Sequence, residues 1–334
     1  MAAKRFSIIL PTYSGLATLP QTLASILAQD LSSINCELIV VIDGPSKQLK
    51  DLVESRRNEL EAKKIDLSLV QFKKNKGRFE ARVAGAETAK HGQLLFLEDR
   101  VFLEDNYFSK LASLDQRLML SNVIEAKSKS NLIADSLSSV RKLVYGASWG
   151  QDFEDYLITA DNFEKSPKGL ASLWVPKDDF LGACEQFAKD RHATRDSSDD
   201  TGVLRLLIEN TGPIYRTSHL RIYYQPRTGL GESVKHLFER GPKFVDYYKK
   251  PGTKFFPVLA GVYVGMVVLV GALVLKPIWV LWGLIAFLLM VLLLASRTAS
   301  TIVEGLRITI GLPLVILIFV GGILKGTLQA LAKR

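Results

Sequence analysis

The stretch ELIVVIDGPS, residues 37–46, contains the pattern that decides the fold. Five apolar residues run from Leu38 to Ile42, and Asp43, Gly44 and Pro45 follow at once. A strand that is apolar throughout is typical of a parallel sheet covered on both faces, because it has no polar side to turn towards water. The D-G-P sequence predicts a tight turn that presents a carboxylate at the end of this strand.

Segments of the same kind lie on either side of this strand. FSIIL (6–10), LSLVQF (67–72) and LLFL (94–97) are short apolar runs, and stretches with helical spacing separate them. Strands that alternate with helices predict an α/β domain with a Rossmann-like, mostly parallel central sheet. Ligands of such sheets bind beyond the carboxyl ends of the strands, so we expect the functional site there. From about residue 105 to 165 the sequence is polar and serine-rich, and it predicts no regular element.

Other strand ends carry side chains suited to a nucleotide. PTYSG (11–15) follows the first run, and Tyr13 offers a ring on which a base can stack. Arg78 and Arg82 come at the entrance of a predicted helix, where amides and guanidinium groups favour phosphate. The sequence contains neither G-x-G-x-x-G nor G-x-x-x-x-G-K-[ST], which argues against dinucleotide dehydrogenases and P-loop ATPases.

Three apolar segments follow residue 254. Phe255–Leu275 and Ile278–Ser296 contain no charged residue. As a helix the first is about 31 Å long, which matches the hydrocarbon core of a bilayer, so we predict an antiparallel pair of transmembrane helices. Ile308–Leu324 is shorter and is interrupted by Pro313 and by glycines. We predict that it also spans, with a re-entrant or interfacial helix as the alternative.

A basic juxtamembrane segment, residues 233–254, precedes these helices. We predict that Lys235, Arg240 and Lys243 contact lipid headgroups or a lipid-borne phosphate; the alternative is that the cluster only fixes topology. Much of the net charge of +9 is concentrated here, so we expect no nucleic acid partner. By the positive-inside rule, the domain of residues 1–232 faces the cytoplasm in a multi-pass protein of the cytoplasmic (inner) membrane. Three full crossings of the 255–334 region would place Lys325 outside, against the same rule.

Seven segments, in order, carry a resemblance to a known family: FSIILPTYSG, VVIDGPS, NKGRFEARVAGAETA, LLFLEDRVFL, GLASLWVPKDDF, SDDTG and YYQPRTGLGESVKHLFERG. Over roughly residues 6–244 the chain resembles a family 2 glycosyltransferase with the GT-A fold. Its C-terminal helices resemble those of the membrane-anchored branch that builds bacterial surface polysaccharides and lipid-linked saccharides. The resemblance implies a GT-A catalytic domain followed by a transmembrane helical region.

The resemblance also implies roles for individual residues. Asp199 and Asp200 match the family's acidic pair, of which Asp200 would be the general base; the alternative is that these acids only cap the following helix. The residues that would line the donor nucleotide site are Pro11, Thr12, Tyr13, Asp43, Gly44, Arg82, Asp99 and Arg100. Family chemistry implies inversion, in which the acceptor oxygen attacks the anomeric carbon in line while nucleoside diphosphate leaves.

Glu98, Asp99 and Arg100 match the family's D-x-D segment, which holds Mg²⁺ or Mn²⁺ against the leaving diphosphate. Glu98 replaces the first aspartate and Arg100 the second, so one ligand is missing. The sequence leaves three interpretations open. In the first, Glu98 or Asp99 still holds the ion through one carboxylate. In the second, Arg100 substitutes for the ion by gripping phosphate oxygens. In the third, the site is inactive.

The chain is therefore predicted to be a membrane-bound enzyme that moves one sugar from a nucleotide-diphospho-sugar to a lipid-linked acceptor of the polyprenyl type. A hydroxyl acceptor benefits from a base, whereas a phosphate is already largely ionised, so the acidic pair favours a hydroxyl over polyprenyl phosphate itself. Processive polymerisation is disfavoured because the Q-x-x-R-W motif of processive relatives is missing from the sequence. The competing hypothesis is a non-catalytic membrane scaffold with a degenerate GT-A domain.

Overall fold

The computed structural model describes residues 3–126, 131–146, 153–191, 199–299 and 301–332. The chain divides into two compact units. The first, which we call the sheet unit, comprises Met1–Ala126, Gly150–Arg195 and Asp199–Gln225. The second, which we call the helical unit, comprises Lys127–Trp149, Asp196–Ser198 and Pro226–Arg334.

The sheet unit is built on one sheet, to which nine strands belong within the described residues. The strands are β1 (Lys4–Thr12), β2 (Ile34–Ile42), β3 (Asp66–Gln71), β4 (Gln93–Phe96), β5 (Val101–Leu103), β6 (Met119–Glu125), β7 (Tyr156–Ile158), β8 (Leu173–Pro176) and β9 (Ile214–Tyr224). They lie in the order β3-β2-β1-β4-β8-β6-β9-β5, and β7 pairs with β9.

The helices divide between the two units. Those of the sheet unit are α1 (Leu19–Leu27), α2 (Lys47–Glu54), α3 (Arg57–Ala62), α4 (Arg78–Thr88), α5 (Tyr107–Ser113), α7 (Lys177–Arg191) and α8 (Asp199–Asn210). Those of the helical unit are α6 (Leu132–Tyr145), α9 (Leu230–Tyr248), α10 (Phe256–Leu275), α11 (Ile278–Thr298) and α12 (Ile302–Ala332).

The first half of the sheet is parallel and buried. β2 pairs with β1 and β3, and β1 pairs with β4, all in parallel. Every residue from Phe6 to Thr12 and from Cys36 to Ile42 is buried, as expected for strands that have apolar side chains on both faces. The prediction of an α/β domain followed by a helical region is confirmed.

The second half of the sheet mixes strand directions, which the sequence patterns did not indicate. β8 is antiparallel to β4 and β6, and both β5 and β7 are antiparallel to β9, whereas β6 and β9 are parallel. The turn between β4 and β5 consists of residues 97–100, so the charged segment at its centre lies between two buried strands.

The helical unit begins with a helix where the serine-rich sequence predicted none. Asn131 starts α6 by accepting hydrogen bonds from the backbone N–H groups of Ile133 and Ala134, at 3.1 and 3.0 Å. α10, α11 and α12 are each long and apolar enough to cross a membrane. The bounds of α10 and α11 lie within two residues of the predicted ones, whereas α12 extends well beyond the predicted 308–324 on both sides.

Candidate active site

The carboxyl ends of the parallel strands lie side by side. Thr12 at the end of β1 is in register with Ile42 at the end of β2, and the N–H of Asp43 donates to the carbonyl of Thr12 at 2.8 Å. β4 pairs with β1 on its other side. The residues after β1, β2 and β4 are thereby brought to one edge of the sheet, where a ligand of a parallel sheet is expected.

Asp43 fixes the loop before α4. Its side chain is 4% exposed, and its two carboxylate oxygens accept hydrogen bonds from the backbone N–H groups of Lys76 and Gly77, at 2.7 and 3.0 Å. Gly44 has a φ of +129°, which confirms the tight turn predicted after β2. Tyr13 lies beside this turn and is 57% exposed, so its ring is accessible to a ligand.

Thr12 and Asp99 connect the ends of β1 and β4. The hydroxyl of Thr12 donates to Oδ2 of Asp99 at 2.6 Å. A Cβ added to Gly15 would lie 2.7 Å from this hydroxyl and would press on the Asp99 carboxyl group as well. Position 15 therefore requires glycine, and apart from the glycine at the end of PTYSG no sequence pattern indicates this.

Arg82 is the centre of the site. It belongs to the face of α4 that packs on the sheet together with Gly85 and Ala86, and its side chain is 2% exposed. Its Nη2 donates to Oε1 of Glu98 at 3.1 Å, and its Nη1 donates to Oδ1 of Asp200. One buried guanidinium group therefore holds two carboxylates that are 102 positions apart in the sequence (200 minus 98).

Both carboxylates remain accessible from solvent. The side chains of Glu98 and Asp200 are 24% and 27% exposed. Asp200 lies in the first turn of α8, where the helix dipole favours a negative charge. Asp199 is the first residue of that helix, and its side chain lies outside the described part of the structure.

A second arginine approaches the same acid. Arg78 lies one turn before Arg82 in α4, and its Nη1 is 3.6 Å from Oε1 of Glu98. The sequence had already indicated Arg78, together with Arg82, as a side chain at this helix entrance that favours phosphate. Arg100 lies in the turn after β4, is half-buried, and accepts a hydrogen bond from the N–H of Gln225 through its carbonyl at 2.8 Å.

The donor atoms do not fit a divalent ion held by two protein carboxylates. Glu98 is engaged by arginines, Asp99 accepts from Thr12, and the third residue of the segment is Arg100. Across the described ranges, no group of three or more histidine, cysteine, aspartate or glutamate side chains could hold a metal ion. The positive charges at this site come from arginine.

The predicted lipid-contacting residues belong to the helical unit. Lys235, Arg240 and Lys243 all lie in α9. Lys235 and Arg240 are exposed and Lys243 is half-buried, so the first two are accessible from solvent.

Comparison with known families gives one match. Residues 7–130 match the family described as Glycosyl transferase family 2. The match covers just over a third of the chain and contains every predicted site residue of the sheet unit except the Asp199–Asp200 pair. This part of the chain is thus similar to the glycosyl transferase family 2 domain. No curated protein sequence matches the chain.

Solved structures resemble the chain at low identity. The crystal structure of S. aureus TarS 1–349 in complex with UDP is 15% identical, with a TM-score of 0.47, and the similarity covers 73% of this chain and 66% of that one. S. aureus TarS itself is 14% identical, with a TM-score of 0.49 and coverage of 75% and 44%. GalNAc-T7 with UDP, GalNAc and Mn²⁺ is 11% identical, with a TM-score of 0.49 and coverage of 74% and 52%.

Proposed function

We propose that the chain is an inverting glycosyltransferase that moves a single sugar from a nucleotide-diphospho-sugar to a hydroxyl of a lipid-linked acceptor at the cytoplasmic face of a membrane. The observation that carries this proposal is the pairing of Arg82 with both Glu98 and Asp200. It joins the candidate base to the segment that is expected to face the donor diphosphate. The family 2 domain supports a nucleotide-sugar donor, and the apolar helices support an acceptor that resides in a membrane.

Asp200 is the proton acceptor in this reaction. The acceptor oxygen forms a bond to the anomeric carbon, and the bond between that carbon and the phosphate oxygen breaks. The hydroxyl proton passes to the Asp200 carboxylate, and the nucleoside diphosphate leaves with the electron pair. Arg82 is a positioning residue, since it holds that carboxylate at the start of α8.

Arginines stabilise the departing diphosphate. Developing negative charge on the leaving group requires a fixed positive partner. Arg78 is 44% exposed at the start of α4, and Arg100 follows β4. A guanidinium group can grip two phosphate oxygens at once, as a divalent ion would. In this proposal, Tyr13 stacks on the base and backbone groups of the turn at Gly44 bind the ribose.

The test uses the full chain in detergent with a panel of radiolabelled UDP- and GDP-sugars. We expect donor turnover with one of them, and Asp200→Asn should lower it by about 100-fold or more because the base is lost. The nucleoside diphosphate should stabilise this variant as it does the parent. Asp161→Asn, at an exposed position of the sheet unit, is the matched control and should retain full turnover. Turnover that survives Asp200→Asn removes Asp200 from the mechanism, and no turnover with any donor favours the scaffold hypothesis.

Two further experiments identify the positive group that stabilises the departing diphosphate and the chemical nature of the acceptor. If arginine replaces the ion, turnover persists in EDTA and falls in Arg100→Ala; loss in EDTA that Mn²⁺ restores would refute that role. Polyprenyl phosphate and a polyprenyl-linked saccharide are then compared as acceptors. We expect transfer to the saccharide, and transfer to the phosphate alone would replace the hydroxyl acceptor by the phosphate.

A further inference from the structure

α10 and α11 form a hairpin. It contacts α12 at its base, where α10 begins and α11 ends, and not along its length. Tyr263, two turns into α10, shares a hydrogen bond with Thr327 between their hydroxyl oxygens at 2.6 Å, and Leu259 packs in one cluster with Ile323. At the other leg, a Cβ on Gly305 would lie 3.6 Å from the Cβ of Ala299, directly after α11. No residue from 260 to 290 is buried. A third span in a bundle would instead pack along the legs.

The two contacts are far apart on α12. Gly305 and Ile323 are separated by about 27 Å along a helix. Two closely packed antiparallel helices have axes only about 8–10 Å apart. The legs of the hairpin therefore diverge towards their base, and α12 runs across the opening between them.

Two charged helices cover one face of α12. α9 contacts α12 over a long stretch: Leu237 packs with Val315, and Val245 lies beside Gly326. The contact is close: a Cβ on Gly322 would lie 3.1 Å from Cα of Gly241 and nearer still to the carbonyl of Phe238. α6 covers the earlier part, where Asp135 pairs with Arg307 at 3.4 Å and Lys142 with Glu304 at 3.8 Å.

These neighbours cannot lie in hydrocarbon. Lys235, Glu239 and Arg240 are exposed on α9, and Lys235 and Glu239 lie about 200° around the helix from the buried Leu237. If α12 crossed the bilayer over residues 308–324, α9 would carry these charges to the depth of the acyl chains, where unpaired charges are expensive.

The opposite face of α12 is apolar and exposed along its length. The side chains that form this exposed stripe are Leu306, Ile310, Leu314, Leu317, Leu324 and Leu328, which recur every three, four or seven positions. The covered face includes Ile308, Val315 and Gly322. Position 317 lies about 200° from position 315, so the stripe faces away from α6 and α9. A stripe of this length on a helix that is shielded on its other side is suited to a lipid surface.

We propose that α12 does not cross the membrane but lies in the interface on the side from which α10 enters, with the exposed stripe against the acyl chains and with α6 and α9 on its aqueous side. α10 and α11 are the only crossings within the described residues. The far interface is at the hairpin tip, where Lys276 lies 5.5 Å from the ring of Trp279. Lys325 then stays on the same side as the basic residues of α9, in agreement with the positive-inside rule. This inference goes beyond the proposed transferase function and does not depend on it.

Single cysteines introduced into the full chain in sealed membrane vesicles test the topology. Cys36 and Cys184 are buried, so an introduced cysteine is the main target of a membrane-impermeant maleimide. The positions are Lys250→Cys before α10, Leu275→Cys at the hairpin tip and Ala332→Cys at the end of α12. We expect positions 250 and 332 to be labelled from one side and 275 from the other. Labelling of 332 together with 275, or of all three from one side, overturns the proposal.

Spin labels on the exposed stripe test the depth independently of sidedness. Labels at 306, 310, 317, 324 and 328 should report one shallow depth of about 5–10 Å, because the helix lies flat. The matched series at exposed positions of α10, Val264, Val267, Val270 and Leu273, should pass through the midplane of a hydrocarbon core about 30 Å thick. A depth on α12 that rises to about 15 Å near residue 317 and falls again would refute the proposal.

Discussion

Replacing Arg82 by methionine tests whether this residue organises the site. Methionine refills most of the volume of the side chain, so the main change is that Glu98 and Asp200 lose their shared cation. Removing one partner of a buried ion pair costs about 3–5 kcal/mol. Because both carboxylates keep about a quarter of their surface exposed, water offsets part of the loss, and we expect about 3 kcal/mol. For a unit of this size that corresponds to a fall in Tm of about 6–12 °C.

The assay is thermal unfolding of the full chain in detergent. A fluorophore attached to a cysteine introduced as Asp161→Cys, at an exposed position, reports unfolding of the sheet unit. Arg56→Met is the matched control. Among the described residues, the side chain of Arg56 pairs with Glu59 alone, at 2.9 Å in an exposed position, so this variant should change stability by no more than about 0.5 kcal/mol. Both methionine variants remove one positive charge, so the difference between them measures the effect of burying that charge.

A triple variant separates electrostatics from packing. If orphaned carboxylates are the cause, adding Glu98→Gln and Asp200→Asn to Arg82→Met should recover at least half of the lost stability, since no uncompensated charge remains. The reasoning is refuted if Arg82→Met lowers Tm by less than about 2 °C. It is equally refuted if the two neutralising substitutions fail to restore stability, because the loss then comes from packing.

Three other perturbations have defined outcomes. Gly15→Ala should break the hydrogen bond between Thr12 and Asp99 and lower stability by about 1–3 kcal/mol, measured by thermal unfolding. Burial alone would raise the pKa of Asp155, but hydrogen bonds from Tyr215, Thr217 and Ser218 outweigh it and hold that pKa below its usual value. The hydrogen-bonded carboxylate therefore stabilises the fold above about pH 4, and this contribution is lost as the carboxylate is protonated at lower pH. Asp155→Asn should lower the free energy of unfolding by about 2 kcal/mol at pH 7 and by progressively less under acid denaturation. Gly322→Ala should lower the detergent Tm by separating α9 from α12, whereas Gly321→Ala, whose Cβ would lie no closer than 3.4 Å to Phe238, should not; equal effects would contradict the described packing.

Local sequence patterns predicted the first half of the sheet because each parallel strand has its own unambiguous signal. ELIVVI is buried on both faces in the structure, and a continuous apolar run predicts that directly. The antiparallel strands gave no such signal. β7 and β8 have three and four residues, so too few positions exist to show a period, and their place is set by tertiary pairing with β9, β4 and β6.

The helix α6 shows why a polar, serine-rich composition does not by itself indicate a loop. Ser136 and Ser139 are buried, and Ser136 lies against Gly311 of α12. Small hydroxyl residues allow close approach between helices while each hydroxyl bonds to its own helix, so a serine-rich stretch can form a packed face. Without the partner helix, the same sequence is indistinguishable from a polar loop.

The sequence identified residues of the site, but it did not predict the hydrogen bonds between them. Asp43, Glu98 and Asp200 were each singled out, but each was assigned to a ligand, and the structure adds a protein partner for every one of them. Partners such as the N–H groups of Lys76 and Gly77 leave no trace in residue type, because any residue supplies a backbone amide. Only the fold brings them to the carboxylate.

The charge at the β4 turn can be compared with that of the motif it resembles. Two aspartates with a divalent ion contribute −1, −1 and +2, a sum of zero. Glu98, Asp99 and Arg100 contribute −1, −1 and +1, a sum of −1, so the replacement of the second aspartate by arginine supplies part of the positive charge that the ion would otherwise bring. The two cases differ in what happens without an ion: an empty D-x-D segment with an uncharged middle residue is doubly negative and repels a diphosphate, whereas the segment here carries a net charge of −1. With Arg78, Arg82 and Asp200 included, the charges at the site sum to zero, so the site does not repel the donor before an ion binds, and this is why the arginine substitution is compatible with a working transferase and is not by itself a sign of lost activity.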